Sequence, residues 1–133
     1  MIFLLDTNAV SGLMRGDSRL TAWMTTVRDE DELVICTIVR GELLFGLGKL
    51  PAGRRKSELE SAATSLLSAF RCVPIPVEAA EHYASVKLSQ QRRGLAMGEN
   101  DLWIAATAIA LGASLVSSDQ DFMRLEPGLI VVP

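Results

Sequence analysis

Short apolar runs alternate along this chain with longer stretches of helical periodicity. Residues 2–5, 33–36, 72–75, 114–116 and 129–132 are brief, rich in Ile, Val and Leu, and bounded by polar or turn residues, so each is predicted as a strand. A first helix is expected over 9–15; Gly16-Asp17-Ser18 breaks it and offers a cap for a second, reaching about Val27. Thr37 is expected to cap a helix that reaches about Leu47. Pro51 sits near the start of another, in which Leu59, Ala62, Ala63, Leu66, Leu67 and Phe70 recur at helical spacing. An amphipathic helix follows over 77–93, then a loop over 94–99 and a buried helix over 100–111 that Gly112 ends. Strands alternating with helices imply βαβ crossovers, hence an α/β fold with a central, mostly parallel sheet covered by helices on both faces.

The chain has 133 residues, which fits a single domain spanning 1–133. Apolar residues make up 49% of it with few aromatics, enough to fill a core and leave apolar surface for a partner. A net charge of −3 argues against a protein that coats nucleic acid through bulk positive charge. The apolar start is too short for a signal sequence and no basic stretch precedes it, so a cytoplasmic protein is expected, with Cys36 and Cys72 as reduced, buried thiols. The uncharged run over 102–118 is interrupted by Thr107, Gly112 and Ser114 and is short of the ~20 residues a membrane span needs, so no membrane association is expected. The acidic run over 29–32 reads as a solvated turn, and His82, without companion ligands, as structural.

Certain acids stand where an acid is locally unexpected. Asp6 follows an apolar strand, Glu42 shares a helical stripe with Ile38 and Phe45, Asp101 opens an apolar helix, and Asp119 follows another strand. Burying a carboxylate beside such segments costs several kcal/mol unless a cation or hydrogen bonds offset it. In a parallel α/β sheet the site lies beyond the carboxyl ends of the strands. Asp6, Thr37 and Asp119 each follow a strand, while Glu42 and Asp101 lie on helices that begin at that same edge, so all are expected together. Singly, each has an ordinary explanation: Asp6 and Asn100 as helix caps, Asp101 as a dipole partner, Asp119 and Asp121 as a turn. Jointly they indicate a shared cation.

Asp6-Thr7-Asn8 after a strand, then Thr37 and Glu42-Leu43-Leu44-Phe45-Gly46, then Asn100-Asp101-Leu102-Trp103-Ile104-Ala105-Ala106-Thr107-Ala108, and finally Ser118-Asp119-Gln120-Asp121-Phe122, resemble the PIN domain. More narrowly, the chain is similar to the VapC-type toxin ribonucleases of prokaryotic toxin–antitoxin pairs. The resemblance covers essentially the whole sequence, and the segment from Asp101 to Ala108 is its most specific part. It implies a three-layer α/β/α fold, an acidic quartet of Asp6, Glu42, Asp101 and Asp119 holding Mg²⁺ or Mn²⁺, and supporting polar positions at Thr7, Asn8 and Thr37. Asp121 is placed to share the role of Asp119, and Glu99 has no assigned counterpart. The resemblance further implies an RNA substrate, a small cognate VapB-like antitoxin that blocks the site, and a homodimer.

Those residue types suit metal-assisted phosphodiester hydrolysis, since Mg²⁺ takes oxygen ligands and activates water without a side-chain nucleophile. Lys49, Arg54, Arg55 and Lys56, and separately Arg92 and Arg93, are the basic clusters available to RNA phosphates. Trp103 and Phe45 are read as core residues. Two alternatives stand beside the ribonuclease: a haloacid-dehalogenase-like phosphatase with Asp6 as nucleophile, whose second acid would fall where this chain has Asn8, and a non-catalytic α/β binding module.

Overall fold

The computed structural model describes residues 1–125 and 131–132. Its elements in order are β1 (Ile2–Leu5), α1 (Thr7–Met14), α2 (Ser18–Met24), β2 (Glu32–Cys36), α3 (Thr37–Gly48), α4 (Arg54–Ala69), β3 (Arg71–Val73), α5 (Ala79–Arg92), α6 (Glu99–Leu111), β4 (Ser114–Val116), α7 (Gln120–Met123) and β5 (Val131–Val132). The strands form one sheet in the order β3-β2-β1-β4-β5. Every pairing is parallel, with Leu4 opposite both Val34 and Leu115. Parallel neighbours require crossovers, and the helices that make them cover the sheet in an α/β/α arrangement.

The centre of the sheet explains its sequence. Leu4, Leu5, Val34, Ile35, Leu115 and Val116 are all fully buried, because strands covered on both faces need continuous rather than alternating apolar residues. Each such side chain contributes about 1.5–3 kcal/mol relative to exposure. Against this core pack Val10 from α1, Val39 and Leu43 from α3, and Ile104, Ala105 and Ala108 from α6. Small residues on α6 let it lie close to the sheet, and that helix is nearly buried along its length.

Several expectations shift for local reasons. β3 is Arg71–Val73 rather than 72–75, since Pro74 and Pro76 have no N–H to extend a ladder. It lies at the sheet edge, so Cys72 is exposed and only Cys36 is buried. The cap of α3 is Cys36, without a side-chain hydrogen bond; Thr37 is the first helical residue, and its hydroxyl donates to the Val73 carbonyl at 3.4 Å. Asp17 does cap α2, accepting from the N–H groups of Arg19 and Leu20, but the helix ends at Met24. Glu32 is not in a turn; it opens β2, and Asp31 holds the N-terminal amine. Phe45 is 67% exposed rather than in the core, whereas Trp103 is half-buried and stacked on Tyr83 with ring centroids 4.1 Å apart. Glu99 is the first residue of α6 rather than part of a loop. Of the expected last strand, Val131 and Val132 pair with β4, and Leu129 and Ile130 lie outside the described residues.

Gly112 stops α6 in the left-handed conformation, φ 64°, its N–H reaching the Ala108 and Ile109 carbonyls, and so turns the chain into β4. A Cβ there meets no neighbour, so only backbone strain is at stake. Gly112→Ala should therefore destabilise the protein by about 1–2 kcal/mol and Gly112→Asn by less, read as a lower urea midpoint at unchanged slope.

Candidate active site

β1 ends at Leu5 and the next residue is Asp6, whose extended backbone, φ −78° and ψ 174°, makes it the cap of α1. Its Oδ1 accepts the Ala9 N–H at 2.7 Å and its Oδ2 accepts the Ser117 hydroxyl at 2.5 Å. Only 3% of Asp6 is exposed. Burial pushes its pKa above the ordinary carboxylate value, the two hydrogen bonds pull it back down, and the nearby charges of Asp119 and Glu42 raise it again.

The neighbouring elements add the remaining acids. Thr7, next on α1, donates its hydroxyl to Glu42 Oε1 at 2.6 Å and so fixes the α3 carboxylate relative to α1. Glu42 and Asp101 together line an open cleft of about 400 Å³ with Gly98, Glu99 and Asn100. Asp101 sits in the first turn of α6, where the helix dipole favours a negative charge. Its pKa is nevertheless pushed up to about 6, first by burial and then by the charges of Asp119, Glu42, Asp6 and Asp121. That set of repelling neighbours defines the site: acids from the residue after β1, from α3, from α6 and from the segment after β4 share one electrostatic neighbourhood.

Asp119 caps the short α7, its Oδ1 accepting the Asp121 N–H at 2.9 Å, so its carboxylate is turned by its own helix. Its backbone N–H donates to Ser117 Oγ at 3.0 Å. Ser117 thus bridges Asp6 and Asp119 and is fully buried; sequence reasoning passed over it, although a hydroxyl directly after an apolar strand and before an acid was the available signal. Asp121 is half-buried and close enough to raise Asp101, and it also stands 3.9 Å from Arg124. The other expected supports differ. Asn8 is exposed and Thr37 faces β3, so neither hydrogen-bonds to an acid among the described residues.

Glu99 belongs to a separate arrangement. Its oxygens accept from the Tyr83 hydroxyl at 2.5 Å and from Lys87 Nζ at 2.6 Å, which couples α5 to the start of α6. These bonds hold its carboxyl below the usual range, Lys87 first and Tyr83 second. His82 is half-buried on the same helix.

The donor set is all carboxylate and hydroxyl oxygen, which suits a hard divalent cation. Among the described residues no three of the Asp, Glu, His or Cys side chains are gathered closely enough to hold one ion as they stand.

A PIN domain family model matches residues 3–126. The chain is 33% identical over 124 residues to the VapC ribonuclease Y4jK of Sinorhizobium fredii, covering 89% of this chain and 87% of that protein. It is 29% identical over 133 residues to ribonuclease VapC2 of Rickettsia felis, covering 98% and 96%. Among solved structures it superposes on VapBC2 of Rickettsia felis, bound to a DNA fragment from their promoter, with a TM-score of 0.86 at 27% identity, covering 98% of this chain and 97% of that one. It superposes on FitAcB of Neisseria gonorrhoeae with a TM-score of 0.80 at 28% identity, covering 100% and 97%. The parallel five-stranded sheet, the acids at its carboxyl edge and these likenesses agree: the chain belongs to the PIN domain family, on its VapC branch.

Proposed function

We propose that this protein is a Mg²⁺-dependent ribonuclease, with Mn²⁺ able to serve, and the toxin of a toxin–antitoxin pair. The observation that carries this reading is the convergence of Asp6, Glu42, Asp101 and Asp119 from separate elements, with Asp101 raised to about 6 by burial and by the others. The names of its VapC relatives, ribonucleases, support the same reading.

Asp6 and Asp101 would hold the ion, with Glu42 and Asp119 completing the ring of negative charge directly or through water. When bound, the metal lowers the pKa of a water and offsets charge on the phosphodiester. The chain's own residues keep the acids in place for this. Ser117 fixes Asp6 and the backbone before Asp119, and Thr7 fixes Glu42. Both Asp6 oxygens accept one hydrogen bond each and the residue is buried, which holds the carboxylate in place and leaves lone pairs for an ion; the phosphatase alternative lacks its second acid, since Asn8 stands there and is exposed. No described helix is long and apolar enough to cross a membrane. A cytoplasmic site of action, where RNA is accessible, belongs to this reading.

The antitoxin belongs to the same proposal. Leu44, 50% exposed, borders an apolar groove between α3 and α4 with Leu47, Ala63 and Leu67, and Phe45 stands exposed beside it. An apolar helix of a small partner would cover this surface, in keeping with solved neighbours that include VapBC structures. Phe45→Asp should weaken capture of the tagged protein by the product of an adjacent small reading frame at least tenfold; unchanged capture would place the partner elsewhere.

Asp6→Asn and Asp101→Asn should each abolish Mg²⁺-dependent RNA cleavage while far-UV circular dichroism stays native. Parental cleavage by either purified variant would remove that acid from the site.

The raised acids also make a stability prediction. The Asp101 pKa is higher folded, about 6, than its ordinary 3.8, so the folded state holds the extra proton between these values and stability falls as pH rises through them. Asp101→Asn should flatten that fall and raise the melting temperature in EDTA at neutral pH. Metal binding only to the folded form adds about 2.7 kcal/mol at ~100 times its dissociation constant, and this gain should shrink in the variant. Asp29→Asn, exposed and away from the cluster, should change neither. Equal Mg²⁺-induced melting shifts in all three proteins would reduce Asp101 to a helix-start residue.

A further inference from the structure

The basic residues do not share one environment. Arg54 Nε is bound to Glu58 at 3.0 Å, and Lys49 Nζ lies 4.8 Å from the centre of the Phe45 ring. Lys56 borders the α3–α4 groove, and Arg93 donates to the Arg124 carbonyl. Arg55 is different. Together with Arg15, from the end of α1, it lines a cleft of about 270 Å³ that also holds Thr7 and Glu42. Neither Arg15 nor Arg55 makes an ion pair among the described residues, and both are exposed. Leu47 and Leu59 give the same cleft an apolar wall.

The geometry points to a nucleotide seat in this cleft: Arg15 and Arg55 take a backbone phosphate of the RNA, the apolar wall takes a base or sugar, and the Thr7–Glu42 pair marks the end nearest the scissile bond. This rests on the ribonuclease reading and deepens it by giving the substrate a direction of approach. Charge complementarity selects the occupant. A chain of net charge −3 with a ring of carboxylates at its reactive edge repels a polyanion, so RNA needs local cations beside that edge. Two unpaired guanidiniums with planar forks match phosphate oxygens. The cleft, at about 270 Å³, is below the ~300–1,000 Å³ of sites that enclose whole small molecules, which suits part of an extended chain. Arg15 has an ordinary role too, since a cation at the end of α1 complements the helix dipole. That role leaves RNA affinity and its salt dependence untouched.

The test measures binding of a short fluorescein-labelled single-stranded RNA to the Asp101→Asn protein across a range of salt, and steady-state cleavage in the otherwise parental protein. Arg15→Gln and Arg55→Gln should each weaken binding several-fold and reduce the slope of log affinity against log salt by about 0.7, the value for one lost contact to a single strand. In cleavage, KM should rise with kcat retained, and Arg15→Lys and Arg55→Lys should restore the slope. Arg28→Gln, an equal charge change outside the cleft, should keep parental affinity and slope. If the parent cleaves RNA and both cleft variants match it, the seat is wrong while the ribonuclease reading stands. An equal loss in Arg28→Gln would also overturn it, in favour of diffuse attraction, as would variants that lose only affinity for a partner protein. A parent that neither binds nor cleaves RNA would sink both readings.

Discussion

One buried carboxylate governs the arrangement of this protein. Asp6 stands at the exit of β1, the middle strand of a sheet covered on both sides, so it meets almost no solvent. Left alone there it would be protonated or would destabilise the fold by several kcal/mol. Two hydrogen bonds hold it instead, one from the first turn of α1 and one from Ser117 beyond β4. Those bonds fix the start of α1 and the chain leaving β4 against the same point, and each has its own attached acid: Glu42 through Thr7, and Asp119 through Ser117. The site is therefore assembled by satisfying a single polar atom pair, and the neighbouring acids are placed as a consequence.

This arrangement opposes stability. Burial and the neighbouring carboxylates push Asp101 up to about 6, and Asp6 is raised as well. Proteins keep such repulsion at functional sites and compensate elsewhere, here in a core where the central strands are fully buried. Glu99 shows the contrast. It lies two residues from Asp101, yet its charge is absorbed by Lys87 and Tyr83, and it is missing from the groups that raise Asp101. The start of α6 thus carries two acids with opposite fates, one neutralised by α5 and one left for the cleft.

The fold was legible because its signals are local and repeated. Fully apolar strand runs separated by helical stripes allow few arrangements once right-handed crossovers are required. Asp6, Glu42, Asp101 and Asp119 were legible because each breaks a local apolar pattern. What escaped depended on contacts distant in sequence. Ser117 is an unremarkable serine until β4 pairs with β1 and brings it to Asp6. Cys72 reads as buried until β3 is known to be an edge strand. Phe45 has the spacing of a core residue, but among the described residues it is left 67% exposed on its side of α3. Thr37 looks like a cap because cap residues are recognised by type, whereas the backbone places the preceding cysteine in that role.

Net charge also misled until the charges were placed. Of the 13 lysines and arginines, several are paired with nearby acids: Arg28 with Glu30 and Asp31, Arg54 with Glu58, Arg71 with Glu32, Lys87 with Glu99. Exposed pairs of this kind are worth about 1 kcal/mol or less each, but they remove both members from the long-range field. Among the described residues Asp6, Glu42, Asp101 and Asp119 have no such partner, so the edge is more negative than the net charge suggests. A polyanion can reach it only if a divalent cation offsets the acids and unpaired arginines stand beside them. On the proposed reading, the same acids that make the site unstable alone would make it receptive to metal, and the cleft that joins Glu42 to Arg15 and Arg55 would give a negatively charged protein a positive approach for its substrate.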